Sequence, residues 1–259
     1  MESFKVNEDI EVSYTLSGNE NGPKMVLLHG LFLNSDCWKS QLPEFEKKFH
    51  ILRFDLRGHG RSTKPTKRFT IRDYVDDFSA LLNHLGWNKD LYLVGHSLGG
   101  MNALVYAVEN PEKIKKMVVA DSFCHVTHDA ITDLISRVNN SQLEKFAMGI
   151  STRGLKPYDE EIAKYIASLV TEYMTKEDCL AATSASAGFT MCKYLKNIKI
   201  PTLLLVGNDD ITTPTWASGM LHEWMPQSEM TVIPNSAHLT IFDHPTEFNN
   251  YTIEFWERE

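Results

Sequence analysis

Five short apolar runs constrain this chain more than any other feature: KMVLLH (24–29), ILRFD (51–55), LYLVGH (91–96), KMVVAD (116–121) and PTLLLVG (201–207). Each is a continuous hydrophobic segment of strand length, the pattern of a strand buried on both faces. Between and beyond them lie stretches with helical character, residues 36–48, 71–86, 98–109, 215–225 and 244–257. Strand alternating with helix predicts a mainly parallel sheet covered on both sides. Functional residues on such sheets gather at the carboxyl ends of the strands. Residues 3–16 read as two further short strands around Asn7-Glu8-Asp9, a hairpin.

One interval breaks the alternation. Residues 122–197 contain no convincing buried strand, and LISRVNNSQLEKFAMGI, EEIAKYIASLVTEYM and KEDCLAATSASAGFTMCKYL carry helical periodicity instead. The expected organisation is a core domain of residues 1–121 and 198–259, with 122–197 inserted as a helical cap over the sheet's carboxyl edge. Such lids shape substrate access.

With 34 acidic against 26 basic residues and a net charge of −8, the chain lacks the clustered cations that nucleic acid or an anionic membrane surface demands. No segment approaches the ~18–20 continuous apolar residues of a membrane span. The N-terminal MESFKVNEDI has neither the basic nor the apolar region of a signal peptide. The cysteines, Cys37, Cys124, Cys179 and Cys192, are scattered without a C-x-x-C. They read as unpaired thiols in a reducing compartment, and the expected location is cytoplasmic.

Gly95-His96-Ser97-Leu98-Gly99 stands where the strand LYLV gives way to the helix MNALVYAVEN. A serine on so sharp a strand-to-helix turn needs small neighbours, and the helix N-terminus beneath it favours negative charge. The bland alternative is a helix-capping serine with glycines for the turn. A phosphate loop does not fit, since the glycines make neither G-x-G-x-x-G nor a G-K-[ST] ending.

A nucleophilic serine needs a base and an orienting carboxylate. His238, in VIPNSAHLTIF, follows the apolar run MTVI and precedes the last helix, a loop at a strand's carboxyl end. His29 and His96 sit inside other motifs, His59 lies in a turn, and His50, His84, His222 and His244 look like surface or helix-end residues. His125 and His128 form an H-x-x-H with no third metal ligand spaced to match. For the acid, Asp210 in GNDDITTP is the first choice, with Asp209 and Asp121 as alternatives. The order Ser97, Asp210, His238 is that of one serine-hydrolase architecture and not of the others. The developing oxyanion requires N–H donors. The backbone of Leu98 supplies one and Leu31, with Phe32 as second choice, supplies the other from the loop after KMVLLH. Phe32, His96, Met101, Phe123, Ile211 and Leu239 are expected to wall the substrate site, and their apolar character suggests an uncharged, moderately hydrophobic acyl group.

Together these segments resemble the α/β-hydrolase fold superfamily over nearly the whole chain. LLHGLFLNSDCW resembles its oxyanion loop, with His29, Gly30 and Trp38 in place. FDLRGHGRST resembles the turn after the next strand, with Asp55, Arg57, Gly58, Gly60 and Ser62. GHSLGG is similar to the nucleophile elbow, IPTLLLVGNDDITTP to the acid segment and NSAHLTIFDHPTEFN to the histidine segment. The resemblance implies a mostly parallel sheet of about eight strands flanked by helices, with an inserted helical cap.

Departures narrow the chemistry. Serine at position 97 disfavours the epoxide hydrolases and haloalkane dehalogenases of this fold, which use aspartate there; Phe32 also replaces the proline of their H-G-x-P. Leu239 stands where carbon–carbon bond hydrolases carry tryptophan. Small carboxylesterases and 3-oxoadipate enol-lactonases remain similar. The expectation is therefore a serine hydrolase of carboxylic esters, with a lactonase of enol-lactone or acyl-homoserine lactone type as the alternative. A carbon–carbon bond hydrolase, a menaquinone-pathway synthase or a slow-turnover binder rank lower. The expected partners are a small ester or lactone and water, with no cofactor, no metal, no nucleic acid and no membrane insertion; a homodimer is left open.

Overall fold

The computed structural model describes residues 1–258. The N-terminal hairpin forms as expected: β1 (Glu2–Lys5) pairs antiparallel with β2 (Glu11–Gly18), Phe4 opposite Val12. Then follow β3 (Lys24–Leu28), α1 (Leu42–Phe45), β4 (His50–Phe54), α2 (Ile71–His84), β5 (Leu91–His96), α3 (Leu98–Glu109) and β6 (Ile114–Ala120). Helices α4 (His128–Asn140), α5 (Leu143–Gly154), α6 (Glu160–Thr171) and α7 (Lys176–Ala185) occupy the inserted interval. The chain closes with β7 (Thr202–Gly207), α8 (Thr215–Trp224), β8 (Ser228–Ile233), α9 (Thr240–Asp243) and α10 (Pro245–Glu257).

The eight strands form one sheet in the order β1-β2-β4-β3-β5-β6-β7-β8, antiparallel in its first three strands and parallel from β4 onward. All five apolar runs are strands within it. Because β3 lies between β4 and β5, the chain winds away in opposite directions on either side. The crevice at that switch point, beyond the carboxyl ends of β3 and β5, is where such sheets bind ligands. The period of two along each strand divides the core. Val26, Leu28, Leu52, Phe54 and Leu93 face α2 and α3, while Met25, Leu27, Ile51, Tyr92 and Val94 pack with Trp38, Phe248 and Trp256 on the other side.

The helix expected over 36–48 is instead a single 3₁₀ turn, Ser35–Trp38, followed by the one-turn α1. Two cysteines also differ from expectation. Cys37 and Cys179 are free and buried, but Cys124 and Cys192 form a disulfide with their Cα atoms 5.0 Å apart. Their separation of 68 residues hides the contact in the sequence. It arises because the two ends of the insertion run back together: Val126 N donates to Phe189 O at 2.9 Å and Met191 N to Cys124 O at 2.8 Å. This pairing withdraws the thiol argument for a reducing compartment. Among the described residues, no helix is long and apolar enough to cross a membrane.

Candidate active site

Ser97, between the end of β5 and the start of α3, has φ 52° and ψ −114°, a positive-φ backbone that a side chain adopts only under constraint. Such a residue costs on the order of 1–3 kcal/mol and persists where its surroundings over-determine it. Here Ser97 N donates to Ala120 O at 2.9 Å, and Ser122 Oγ donates to Ser97 O at 2.8 Å. The flanking glycines are required by close approach. A Cβ on Gly95 would meet Gly100 N at 2.7 Å, and one on Gly99 would run into the Leu28 carbonyl.

His238 Nε2 lies 3.1 Å from Ser97 Oγ, within hydrogen-bond distance. On the far side of the ring, Nδ1–H donates to Asp210 Oδ2 at 2.9 Å. Asp210 is fixed in turn by Thr212 N (2.7 Å) and Thr213 N (2.8 Å) on Oδ1 and by the Thr213 hydroxyl on Oδ2. Burial alone would raise its pKa, but the charge and hydrogen bond of His238 and the bonds from Thr213 outweigh it and hold the carboxyl well below the usual range. His238 is shifted the other way. Burial lowers its pKa, yet attraction and a hydrogen bond from Asp210, with Asp121 and Asp243 adding, leave it above its ordinary value.

The alternative acids fall elsewhere. Asp209 pairs with Lys156 at 2.8 Å. Asp121 accepts from Thr240 Oγ1 (2.6 Å) and Gly207 N (3.1 Å), and its Oδ2 is 3.5 Å from His96 Nε2. His96 Nε2–H donates to the His238 carbonyl at 2.8 Å and so holds the His238 loop. Asp243 was not singled out from the sequence. It accepts from Ser236 Oγ (2.6 Å), Ala237 N (2.9 Å) and Lys156 N (3.0 Å), and pins the same loop. The Thr213 hydroxyl and Ser122 were missed as well. All are short polar side chains whose role depends on contacts across loops, which carry no periodic signal.

His29 has a supporting place rather than a catalytic one. Leu56 N donates to its Nε2 at 2.9 Å, so its Nδ1–H donates to Gly30 O at 2.8 Å, and burial depresses its pKa and keeps the ring neutral. This bond ties back the Gly30 carbonyl at the start of the loop that carries Leu31 and Phe32. Asp55, Arg57 and Ser62 likewise build the turn after β4. Asp55 accepts from Ser35 N (2.8 Å) and Arg61 N (2.7 Å), while Arg57 makes a two-point pair with Asp77, Nε–Oδ2 2.6 Å.

Above Ser97 lies a cavity of about 300 Å³. Gly30, Leu31, Ser97, Leu98 and His238 line its floor, and the six expected wall residues Phe32, His96, Met101, Phe123, Ile211 and Leu239 all line it too. Ile131 and Leu134 of α4 and Ile150 of α5 line it as well. Phe32 packs edge-on against Phe146 of α5 at 5.1 Å and belongs to the apolar cluster of the insertion. Three charged residues, Asp133, Arg137 and Arg153, also line the cavity, beside the mostly apolar wall positions expected from the sequence.

A family model described as alpha/beta hydrolase fold matches residues 23–145. The crystal structure of a bromoperoxidase from Bacillus anthracis superposes with a TM-score of 0.90, covering 99% of each chain at 24% identity. The chain has the α/β-hydrolase fold. A thermophilic esterase from Thermogutta terrifontis is similar to this α/β-hydrolase-fold chain at 25% identity, with a TM-score of 0.86 over 95% of this chain and 93% of that one. By sequence, it is 24% identical to 3-oxoadipate enol-lactonase 2 of Acinetobacter baylyi across 94% of this chain and 92% of the relative.

Proposed function

We propose that this α/β-hydrolase-fold chain is a serine hydrolase that cleaves carboxylic esters of small to medium acids through an acyl-enzyme. The observation that carries the reading is the continuous relay Ser97 Oγ, His238, Asp210 at 3.1 and 2.9 Å, set on a constrained turn beneath a largely apolar cavity. Ser97 Oγ attacks the ester carbonyl while His238 Nε2 takes its proton. Asp210 keeps the ring in the Nδ1–H tautomer and stabilises the imidazolium. The N–H groups of Leu98 and Leu31 receive the oxyanion, His238 returns the proton to the leaving alkoxide, and water repeats the sequence to release the acid. Residues 122–197 act as the lid that shapes access.

A lactonase is the second reading, supported by the enol-lactonase relative that spans nearly the same length. Ring opening uses the same relay, and only the tether between acyl and leaving groups differs. Leu239 continues to speak against carbon–carbon bond cleavage.

The test compares the wild type with Ser97→Ala on 4-nitrophenyl esters of graded length and on a panel of lactones. Turnover lost in the variant, together with stoichiometric labelling of Ser97 by an organophosphate, is the expected result. Unchanged ester hydrolysis by Ser97→Ala would sink the proposal. Slow labelling with tight retention of an intact ester would replace it with a binding role.

A further inference from the structure

The lining of the cavity is largely apolar, but Asp133 and Arg137 from α4 and Arg153 from the end of α5 belong to it too. Their charges sum to one positive in a chain whose net charge is −8. Arg137 is half-buried, and its Nε lies 3.0 Å from Asp133 Oδ2 one turn earlier. Among the described residues, that carboxylate is the one acidic group within ion-pair distance of Arg137, and Arg153 has none. Of the other arginines, Arg53, Arg57, Arg61, Arg72 and Arg258 each meet an aspartate or glutamate, and Arg68, which meets none among the described residues, lies away from this cavity. An arginine in the last turn of a helix complements the helix dipole, and both residues hold that place. The dipole role needs no cavity, however, and both side chains line the one that holds Ser97.

The position of Arg153 is fixed relative to the chemistry. The carbonyl of the next residue, Gly154, accepts from Leu239 N at 2.8 Å, and Leu239 directly follows His238. Gly154 is packed so closely there that a Cβ would lie 2.7 Å from the Leu239 side chain. A guanidinium presents paired N–H donors matched to a carboxylate. Two of them against the single carboxylate of Asp133, on a largely apolar lining, suit an acyl chain that is greasy beside its ester carbon and anionic at its far end.

We infer that the substrate is an ester or lactone of a dicarboxylic acid, whose second, ionised carboxylate is held by Arg137 and Arg153. This rests on the reading of Ser97 as nucleophile and replaces the uncharged acyl group expected from the sequence.

A matched pair of substrates tests it: 4-nitrophenyl hydrogen adipate, which is anionic, and 4-nitrophenyl methyl adipate, which is neutral. Charge-assisted hydrogen bonds contribute enough for the wild type to favour the anionic ester in kcat/KM by about tenfold or more, chiefly through KM. Arg137→Gln and Arg153→Gln each shrink that preference, the double variant abolishes it, and Arg→Lys at either position retains part of it. A wild-type preference at or below one overturns the inference, as does a preference untouched by either glutamine variant. If Ser97 is not the nucleophile, neither ester is cleaved faster by the wild type than by Ser97→Ala. Dissociation constants of the Ser97→Ala protein for the two esters then decide. Tighter binding of the anionic ester that Arg137→Gln and Arg153→Gln remove supports the inference, and equal binding overturns it.

Discussion

Replacing Asp210 by Asn isolates what the buried carboxylate contributes. Asp210 Oδ1 already takes the N–H groups of Thr212 and Thr213, and the amide oxygen of Asn can keep both. The amide nitrogen then falls at the place of Oδ2, facing His238 Nδ1 and the Thr213 hydroxyl. An NH₂ group donates, so His238 must present a bare Nδ1 to it and carry its proton on Nε2. That proton points at Ser97 Oγ, and the ring can no longer act as base. A wrong-tautomer histidine in this type of relay costs about 10⁴ in kcat, or roughly 5 kcal/mol of transition-state stabilisation. KM moves little, because Asp210 does not line the cavity. The pH profile carries a second signature. In the wild type, activity falls as acid protonates His238, and the midpoint lies above 6.5 because Asp210 raises the imidazole pKa. Removing the carboxylate charge takes away the main attraction that favours imidazolium, so the residual activity of Asp210→Asn has a lower acid midpoint. Steady-state hydrolysis of a short 4-nitrophenyl ester across the acid and neutral range measures both. Activity retained within about tenfold, or a midpoint that does not fall, would refute the assignment. A large loss in Asp121→Asn beside a small one in Asp210→Asn would transfer the role to the neighbouring strand.

Two further changes probe the scaffold. Asp77→Ala strands the guanidinium of Arg57, whose side chain is 9% exposed, with only the half-exposed Asp73 at 3.2 Å. Breaking a buried pair from one side costs about 3–5 kcal/mol, and Asp73 places this case at the lower end, read as a shift in urea midpoint at unchanged slope. Cys124→Ser opens the 68-residue loop closed by the disulfide. Loop-closure entropy sets the loss at up to about 4 kcal/mol, and reductant should lower the Tm of the wild type while leaving that of the variant unchanged.

The elements of the core were legible because burial on both faces of a parallel strand leaves an uninterrupted apolar run, which survives in KMVLLH and PTLLLVG whatever surrounds them. The relay was legible for a related reason. Each member sits at the carboxyl end of a recognisable strand, so its place in the sheet follows from its place in the sequence. The disulfide was not legible, because it depends on the two ends of an irregular insertion converging. Nor were the arginines, since Arg137 and Arg153 look like ordinary solvated residues in the last turns of amphipathic helices. Asp243 and Thr213 act through hydrogen bonds between loops, where neither period nor propensity applies.

The insertion is fastened unevenly to the core, and this has a measurable consequence. The pair α5–α6 is tied by Leu239 N to Gly154 O (2.8 Å), Lys156 N to Asp243 Oδ2 (3.0 Å), the Tyr165 hydroxyl to Asp36 O (2.8 Å) and Asn34 Nδ2 to Leu169 O (3.3 Å). The polar ties of α4 and α7 instead concentrate at their common stem, where Cys124–Cys192 and the Val126–Phe189 bond join the two ends of the insertion. Opening of the lid should therefore occur by α4 and α7 swinging on that stem while α5 and α6 stay with the base's loop. Amide exchange is expected to be faster in α4 than in α6 in the free protein. Arg137 lies on the pair held at the stem and Arg153 on the pair tied to the core, so an anionic ester that reaches both in the Ser97→Ala protein should slow exchange in α4 specifically. Faster exchange in α6 than in α4, or equal protection of α4 by the neutral and anionic esters, would separate the lid's motion from recognition of the carboxylate.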